Sequence, residues 1–405
     1  MLSIDRIIGL SNKYEDYVID MRRKIHMYPE LSSKEFDTSN LILKELKKLN
    51  IPFRAKIAGT GILATLEGKE KGKTILIRAE MDALPIEEDS NFEYKSRKPN
   101  IMHACGHDVH TANLLGLANI LSEIKGDFSG TIKFMFQTAE EKGGGCKKML
   151  DDGLLEGENI DYALALHIMP IEKGKILISK GNITANSDGF TIKIYGKNAH
   201  SSKPQDGIDT INIAGHIIVS LNSIIPKYLD PGDIATFTIG KIRGGKANNI
   251  IPDYVELTGM MRSLSDESRK ILHKELNRIP KSIANSFGGS SEIIIRKGYP
   301  SVFNDVKLTE IIEDAFRTNY VDLVKDIKKD ASDKDTHKYI VNHKPLLTAD
   351  DFGYLSDLIP SVYFMIGTGD YGPQHSSKFF VDEKYIKLCT RTMTLAVLEL
   401  LDREI

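Results

Sequence analysis

The feature of this sequence that most constrains its fold is the stretch His-Ala-Cys-Gly-His-Asp-Val-His at positions 103–110. A thiolate and an imidazole two positions apart suit zinc or a neighbouring divalent transition metal. The residues that follow, 111–121, have the apolar spacing of a helix. The stretch therefore predicts a loop that delivers Cys105 and His107 to the beginning of a helix. The alternative is a chance grouping of polar loop residues that includes one buried histidine.

Length, charge and cysteine usage restrict the class of protein. A chain of 405 residues is long for one hydrophobic core, so two domains are expected. The net charge of −2 gives no reason to expect nucleic acid or an anionic membrane as a partner. No apolar run is as long as a membrane span, and the first residues lack the apolar region of a signal peptide. The three widely spaced cysteines fit a reducing compartment, so we expect a cytoplasmic protein.

Two helices are predicted near the N-terminus. The apolar residues of 4–27 are spaced for one face of an amphipathic helix. Ser32 and Glu35 have the spacing of a capping box, which predicts a second helix that runs to Lys48.

Several predicted strands end in residues that can bind a metal ion or transfer a proton. Paired carboxylates at a strand end suit a site with two roles, in which one binds a cation and the other moves a proton. The alternatives are solvated loop carboxylates and core histidines with ordinary hydrogen bonds. The strands and the residues that follow them are 74–79 with Glu80 and Asp82, 130–137 with Glu140 and Glu141, 162–166 with His167, and 360–366 with His375.

Residues 186–299 differ in character from the rest of the chain. Their pattern follows the order β-α-β-β-α-β, which is typical of a ferredoxin-like α+β domain. We therefore predict that 186–299 form a small domain inserted into an α/β domain. The larger domain, 1–185 and 300–405, is expected to have a mixed sheet flanked by helices.

The motifs together resemble the M20 metallopeptidase family. Within it they are similar to the amidohydrolases that cleave N-acyl amino acids, such as hippurate hydrolases, N-acetyl-diaminopimelate deacetylases and auxin-conjugate hydrolases. The resemblance extends nearly from end to end. The segments that carry it are 22–32, 78–85, 103–108, 140–141, 199–202 with Pro204, 249–252 and 374–376.

The resemblance implies a catalytic domain with two divalent metal ions, for which manganese, zinc, cobalt and nickel all remain open. Such a pair lowers the pKa of a water molecule, and Glu140 is then the general base that passes the proton to the leaving amine. Asp82 is expected to orient a ligand imidazole. The residues expected to bind the metals are Cys105, His107, Glu141, His167 and His375.

The inserted domain is expected to act as a lid and dimerisation domain. By resemblance, Asn249 binds the carboxylate of the substrate, and Arg262 is a second candidate for that role. The resemblance also makes His200 an active-site group that reaches the scissile carbonyl of the neighbouring subunit, so we expect a homodimer paired through this domain. The alternatives are a surface histidine for His200 and a solvated charge for Arg262.

The sequence departs from the family pattern at two positions. Glu80 stands where the family usually has aspartate, and Asp350 stands where it has glutamate. All the expected ligands are present, so an active amidohydrolase is predicted, with an N-acyl amino acid as substrate. A dipeptidase or aminopeptidase of the same superfamily and a metal-binding protein without activity are the alternatives. The pairing of Cys105 with His107 favours the first over the peptidases, and Glu140 disfavours the last.

Overall fold

The computed structural model describes residues 2–328, 332 and 336–403. The chain divides into two compact units. The large unit comprises Met1–Gly181, Phe303–Lys344 and Asp351–Ile405, and the small unit comprises Asn182–Val302 and Pro345–Asp350. The segment Pro345–Asp350 therefore groups with the small unit, whereas its position in the chain predicted the large one.

The large unit consists of helices around one eight-stranded sheet, with one further short strand outside that sheet. Its helices are α1 (Ile4–Lys13), α2 (Glu15–Met27), α3 (Phe36–Lys48), α4 (His107–Glu123), α5 (Gly145–Asp151), α9 (Val306–Val324), α10 (Thr336–Tyr339), α11 (Gly353–Ser356) and α12 (Ile386–Asp402). Its strands are β1 (Phe53–Ile57), β2 (Gly61–Glu67), β3 (Thr74–Glu80), β4 (Thr131–Gln137), β5 (Tyr162–Met169), β6 (Ile176–Leu177), β14 (Phe303–Asn304), β15 (Ile340–Val341) and β16 (Ser361–Gly367). The short strand β7 (Gly181–Asn182) spans the division between the units.

The large sheet is mixed, with the strand order β1-β2-β4-β3-β5-β16-β6-β15. Its central strands β4, β3, β5 and β16 are parallel neighbours. The pairs β1–β2, β2–β4 and β6–β16 are antiparallel, and β6 and β15 are parallel. The parallel strands are almost continuously buried, as expected for strands covered on both faces. The predicted α/β fold with a mixed sheet flanked by helices is therefore confirmed.

The prediction of one helix over 4–27 is wrong, because the chain leaves the helical conformation at Tyr14, where α1 ends and α2 begins. The polar side chains of Ser11 and Asn12 accept hydrogen bonds at 2.8 and 2.6 Å from the buried guanidinium of Arg391 on α12. Both helices bury their apolar faces in the same core. The apolar spacing of the sequence therefore continues across Tyr14 and gives no sign of the break.

The predicted capping box is also wrong. α3 begins at Phe36, and its first N–H groups are capped by Glu30, whose carboxylate accepts hydrogen bonds from the N–H groups of Asp37 and Thr38. Ser32 instead donates a 2.7 Å hydrogen bond to Asp82. The carboxylate of Glu35 is directed into the interior of the large unit, away from the end of the helix.

The small unit is a four-stranded antiparallel sheet with helices. Its sheet has the order β10-β12-β8-β13, which is the order of a ferredoxin-like fold. Apolar residues of β8, α6 and α8 form its own core, including Phe190, Ile217 and Leu276. The elements are β8 (Asn186–Tyr195), β9 (Ala199–His200), α6 (Thr210–Leu221), α7 (Ile224–Tyr228), β10 (Ala235–Gly244), β11 (Ile250–Ile251), β12 (Tyr254–Ser263), α8 (Asp266–Ser286) and β13 (Ser290–Lys297).

Among the residues that the structure describes, no helix combines the length and apolarity needed to cross a bilayer.

Candidate metal centre

The centre lies where parallel strands of the large sheet end. Because β4, β3, β5 and β16 run in the same direction, their C-terminal ends lie along one edge of the sheet. The segments at this edge include Asp82, the predicted general base Glu140 and three predicted ligands, Glu141, His167 and His375, whereas Cys105 and His107 come from the beginning of α4. The segments at the edge are Met81–Asp82 after β3, Thr138–Glu141 after β4, His167 near the end of β5, and the loop that contains His375 after β16.

His107 is presented by the first turn of α4. Gly106 precedes the helix with a φ of +93°, and a Cβ atom there would lie 2.4 Å from Ile168 Cδ1, so both the backbone and the packing require glycine. The imidazole Nδ1 of His107 lies 2.9 Å from the backbone oxygen of Asp82 and 3.3 Å from its carboxylate Oδ1. Nδ1 therefore carries a proton, and Nε2 is the ring nitrogen that faces the centre.

The two glutamates lie on the Nε2 side of His107. Glu140 Oε2 and Glu141 Oε1 are each 4.0 Å from His107 Nε2. Glu141 Oε1 is also 3.3 Å from His375 Nε2, and its backbone N–H donates a 3.0 Å hydrogen bond to Asp82. Burial raises the pKa of Glu141, but its contact with His375 and the charge of His107 hold that pKa below its usual value.

Cys105 and His167 form the other side of the centre. The Sγ atom of Cys105 lies 3.6 Å from His167 Nε2. His167 Nδ1 lies 2.6 Å from the backbone oxygen of Ile168 and donates to it, which directs Nε2 towards the thiol. The amide of Gln374, beside His375, lies 3.8 Å from the same sulfur atom. The structure thus brings all five predicted ligands together with Asp82 and Glu140.

These side chains fit a divalent cation. His107 Nε2 is fully buried and has no hydrogen-bond partner among the described residues. Ligand atoms of Cys105, His107 and Glu141 lie within 4.8 Å of one another. A buried polar nitrogen without a partner is costly, and the combination of sulfur, nitrogen and oxygen donors suits zinc, manganese, cobalt or nickel. Which of these metals binds stays a prediction.

Glu80 and His110 lie next to the centre and support it. Glu80 is paired with the buried guanidinium of Arg78, and its other oxygen lies 2.9 Å from His110 Nδ1. His110 Nε2 accepts a 3.0 Å hydrogen bond from the N–H of Ile168, next to His167. Both nitrogens of His110 are thus occupied, although it has a ligand atom within 4.8 Å of those of Glu80, His107 and His167. We therefore assign His110 a structural role. Its Nε2 holds β5 through the N–H of Ile168, and Glu80 fixes the orientation of its ring.

Two residues of the 103–110 stretch lie outside the centre. His103 is buried, and burial lowers its pKa to about 3, so it is neutral at physiological pH. Asp108 accepts 2.8 Å hydrogen bonds from Arg22 Nε and His26 Nδ1, which ties α2 to the beginning of α4. Sequence reasoning gave these residues no separate role, because only the fold shows which of them face the centre.

The remaining predicted residues belong to the small unit. His200, on β9, is exposed, and its Nδ1 accepts a 3.2 Å hydrogen bond from the N–H of Ser202, which leaves the proton on Nε2. Asn249 is exposed, and its backbone oxygen accepts a hydrogen bond from Ser201, next to His200. Arg262 donates a 2.8 Å hydrogen bond to the backbone oxygen of Leu347. Their predicted functional roles remain predictions.

Comparison with known proteins identifies the family. Residues 76–399 match the family described as peptidase family M20/M25/M40. The chain belongs to this family. As an M20 protein it is a metal-dependent amidohydrolase, and the resemblance predicted from the motifs is confirmed.

M20 relatives with different names are similar to the chain over almost its full length. It is 37% identical over 395 residues to thermostable carboxypeptidase 1 of Saccharolobus solfataricus, covering 95% of both chains. It is 35% identical over 376 residues to N-acetyl-L-cysteine deacetylase of Bacillus subtilis, covering 92% of this chain and 85% of the relative. A solved dinuclear metal-binding M20 peptidase from Bacillus subtilis is 29% identical, with a TM-score of 0.82 and coverage of 96% and 99%.

Thiol labelling tests whether Cys105 is a ligand. A thiolate bound to a metal is shielded, so we expect iodoacetamide to modify Cys105 faster in apo-protein than in metal-loaded protein, and the modification to block reactivation by metal. Peptide mass spectrometry would measure the rates. Cys146 and Cys389 are fully buried and serve as internal controls. Equal labelling of Cys105 in both forms would argue against ligation.

Proposed function

We propose that this protein hydrolyses the amide bond of N-acyl amino acids and releases a carboxylic acid and a free amino acid. The observation that carries the proposal is the pair Glu140–Glu141 facing the unpartnered Nε2 of buried His107. We further propose that two divalent metal ions bind there. Their ligands would be Cys105, His107, Glu141, His167 and His375.

The chemistry divides between the bound metals and the side chains. When bound, the cations supply a lowered water pKa and polarisation of the scissile carbonyl. Glu141 Oε1 lies 3.3 Å from His375 Nε2, a second proposed ligand. Glu140 Oε2 lies 4.0 Å from His107 Nε2. We assign Glu140 as the base that takes a proton from water and delivers it to the leaving amine. Asp82 keeps the proton of His107 on Nδ1 and anchors the N–H of Glu141.

The expected substrates follow from the relatives and from the small unit. N-acetyl-L-cysteine deacetylase, at 35% identity, is named for the removal of an acyl group from an amino acid. We propose that Asn249 binds the carboxylate of the substrate. Arg262 is the weaker candidate, because its guanidinium already donates to a backbone oxygen.

Carboxypeptidase activity is the second candidate function. The relative with 37% identity is named a thermostable carboxypeptidase, which supports this activity more directly than the dipeptidase or aminopeptidase alternatives. Both reactions release an amino acid that has a free carboxylate, and they differ in what the acyl side carries. An N-acyl group can be small and neutral, whereas a peptide continues into further residues.

A substrate panel separates the two candidates. Metal-loaded protein would be offered N-acetyl and N-benzoyl amino acids, N-blocked dipeptides and free dipeptides, with release of free amine as the readout. We expect the N-acyl amino acids to have the highest kcat/KM. A clear preference for peptides would establish the carboxypeptidase or dipeptidase instead.

We also propose a cytoplasmic homodimer paired through the small unit. Among the described residues, the strand β10 pairs with β12 alone and forms an edge of the small sheet, which a second copy could join. The helix α6 of the same unit carries two exposed apolar side chains, Ile211 and Val219, which are 50% and 72% exposed. A C2 pairing of two copies through these surfaces would cover both.

Complementation tests the proposed role of His200. The exposed Nε2–H of His200 is available to donate to a developing oxyanion of the partner's substrate. We expect His200→Ala and Glu140→Gln to be nearly inactive alone, and activity to return after the two are unfolded, mixed and refolded together. A mixed dimer would then contain one site with both groups intact. Activity that stays near zero would show that His200 does not act across a dimer, and a fully active monomer would do the same.

A further inference from the structure

Glu35 is a buried carboxylate outside the ligand set. It is 0% exposed and follows the loop between α2 and α3. One oxygen accepts 2.9 Å hydrogen bonds from the N–H groups of Ser33 and Ala139. The other accepts hydrogen bonds from the hydroxyls of Thr60 and Thr138, at 2.6 and 2.8 Å. Two of these four donors therefore belong to the residues directly before Glu140.

The turn that Glu35 contacts has a demanding conformation. Ala139 has a φ of +54°, in the left-handed region that is unfavourable for residues other than glycine. Its backbone oxygen accepts a hydrogen bond from the N–H of Gly145, where a Cβ atom would lie 1.6 Å from the oxygen of Thr138. Such a conformation persists only where the surroundings hold it in place. Glu35 binds the N–H of the strained residue itself.

The far side of the same turn is held by a different carboxylate. Asp82 accepts a hydrogen bond from the N–H of Glu141 and another from Ser32 Oγ. The loop before α3 thus reaches the turn twice, through Glu35 at Thr138–Ala139 and through Ser32 and Asp82 at Glu141. Between these two attachments lies Glu140.

We infer that Glu35 is a positioning residue, whose buried carboxylate holds the turn 138–141 so that Glu140 and Glu141 face His107. The inference rests on the function proposed above for that pair. Glu35 acts through the backbone and does not reach the substrate. Because the two glutamates are adjacent, a displaced turn would disturb both proton transfer and metal binding.

All four donors to Glu35 are neutral groups. We therefore expect the hydrogen-bonding shape of the side chain at position 35 to matter more than its charge. In a Glu35→Gln variant the amide oxygen can still accept from both N–H groups. The amide nitrogen can donate to the two threonine hydroxyls, since a hydroxyl also accepts. A methionine has a similar length but only a weakly accepting sulfur atom, so Glu35→Met removes all four hydrogen bonds to the carboxylate.

Glu30 offers a matched control on the same loop. Its carboxylate accepts hydrogen bonds from the N–H groups of Asp37 and Thr38 and from the hydroxyl of Thr38, and it caps α3 without contacting the turn. Both Glu30→Met and Glu35→Met should lower the thermal midpoint. We expect only Glu35→Met to lower kcat, by about tenfold or more, since a misplacement of about 1 Å can cost ~100-fold.

The decisive comparison uses two readouts on the folded variants. The first is the pair of constants kcat and KM for N-acyl amino acids. Glu35→Met should lower kcat with little change in KM, whereas Glu35→Gln should keep most of the wild-type activity. The second is Mn(II) binding to apo-protein, which Glu35→Met should weaken relative to Glu30→Met. Equal kcat and equal Mn(II) affinity in the two methionine variants would overturn the inference.

A second pair of variants keeps the test decisive if Glu35→Met does not fold. Thr138→Val and Thr60→Val each remove one hydrogen bond from a buried threonine to the same oxygen of Glu35, and only Thr138 belongs to the turn. We expect a larger loss of kcat and of Mn(II) affinity for Thr138→Val, and equal losses would overturn the inference. If the wild-type protein hydrolyses none of the substrates, the proposed function fails, and Mn(II) affinity alone decides the role of Glu35.

Discussion

Replacement of Glu140 by glutamine is expected to lower kcat by about 100-fold or more while the metal content stays unchanged, which is the scale of a lost general base. Glutamine preserves the size of the side chain but cannot take a proton. Glu140 lies 4.0 Å from His107 Nε2, and Glu141 next to it already contacts His375. The chemical step should therefore suffer more than the binding of metal.

The matched control for this variant is Glu141→Gln. The same substitution one residue later removes a carboxylate charge from the proposed ligand set, so we expect weaker metal binding. Metal analysis after gel filtration, together with kcat at saturating metal, distinguishes the two variants. If Glu140→Gln loses its metals and Glu141→Gln keeps them, the roles of base and ligand are reversed.

Metal affinity is expected to rise steeply with pH. Burial raises the pKa of the Cys105 thiol well above its usual value. Burial lowers the pKa of His107, but the nearby Cys105 and Glu80 outweigh this effect and raise it. Metal binding requires deprotonated ligands and therefore releases these protons. Affinity should fall as the pH falls, by about tenfold per pH unit for each proton released.

Titration of apo-protein with Mn(II) at several pH values between 6 and 8 would measure this dependence. The Cys105→Ser variant removes the thiol proton from the equilibrium, so its affinity should be lower and should depend less on pH. Proton release can be measured independently in a weakly buffered solution. An affinity that does not change over this range would contradict the assignment of Cys105 and His107 as ligands.

The fold was predictable where local pattern and tertiary structure agree. The strands β3 and β4 could be recognised from the sequence as apolar runs, because a strand covered on both faces is apolar almost throughout. The β-α-β-β-α-β order of the small unit could also be recognised, from the alternation of strand and helix patterns. The break at Tyr14 could not, since it coincides with contacts between Arg391 and the chain 380 residues earlier. The strand β1 was also missed, because it is short and half-exposed at the edge of the sheet.

The candidate site was predictable to the extent that its residues follow strands. His107, Glu141 and His167 lie at the ends of recognisable elements, and parallel strands bring such ends together. The support around them was not predictable from local sequence. Glu35 and Ser32 have the spacing of a helix cap, yet in the fold they contact Ala139 and Asp82, which are 104 and 50 residues away. Local spacing cannot distinguish a cap from such a distant contact.

The most direct test of the proposed chemistry is a metal titration of apo-protein followed by release of free amine from N-acetyl amino acids. We predict that metal-free protein is inactive and that activity appears as up to two Mn(II) ions bind per chain. Glu140→Gln should bind the same amount of metal and release about 100-fold less amine. Full activity without metal, or no amine release from any N-acyl amino acid at full metal loading, would contradict the proposed function.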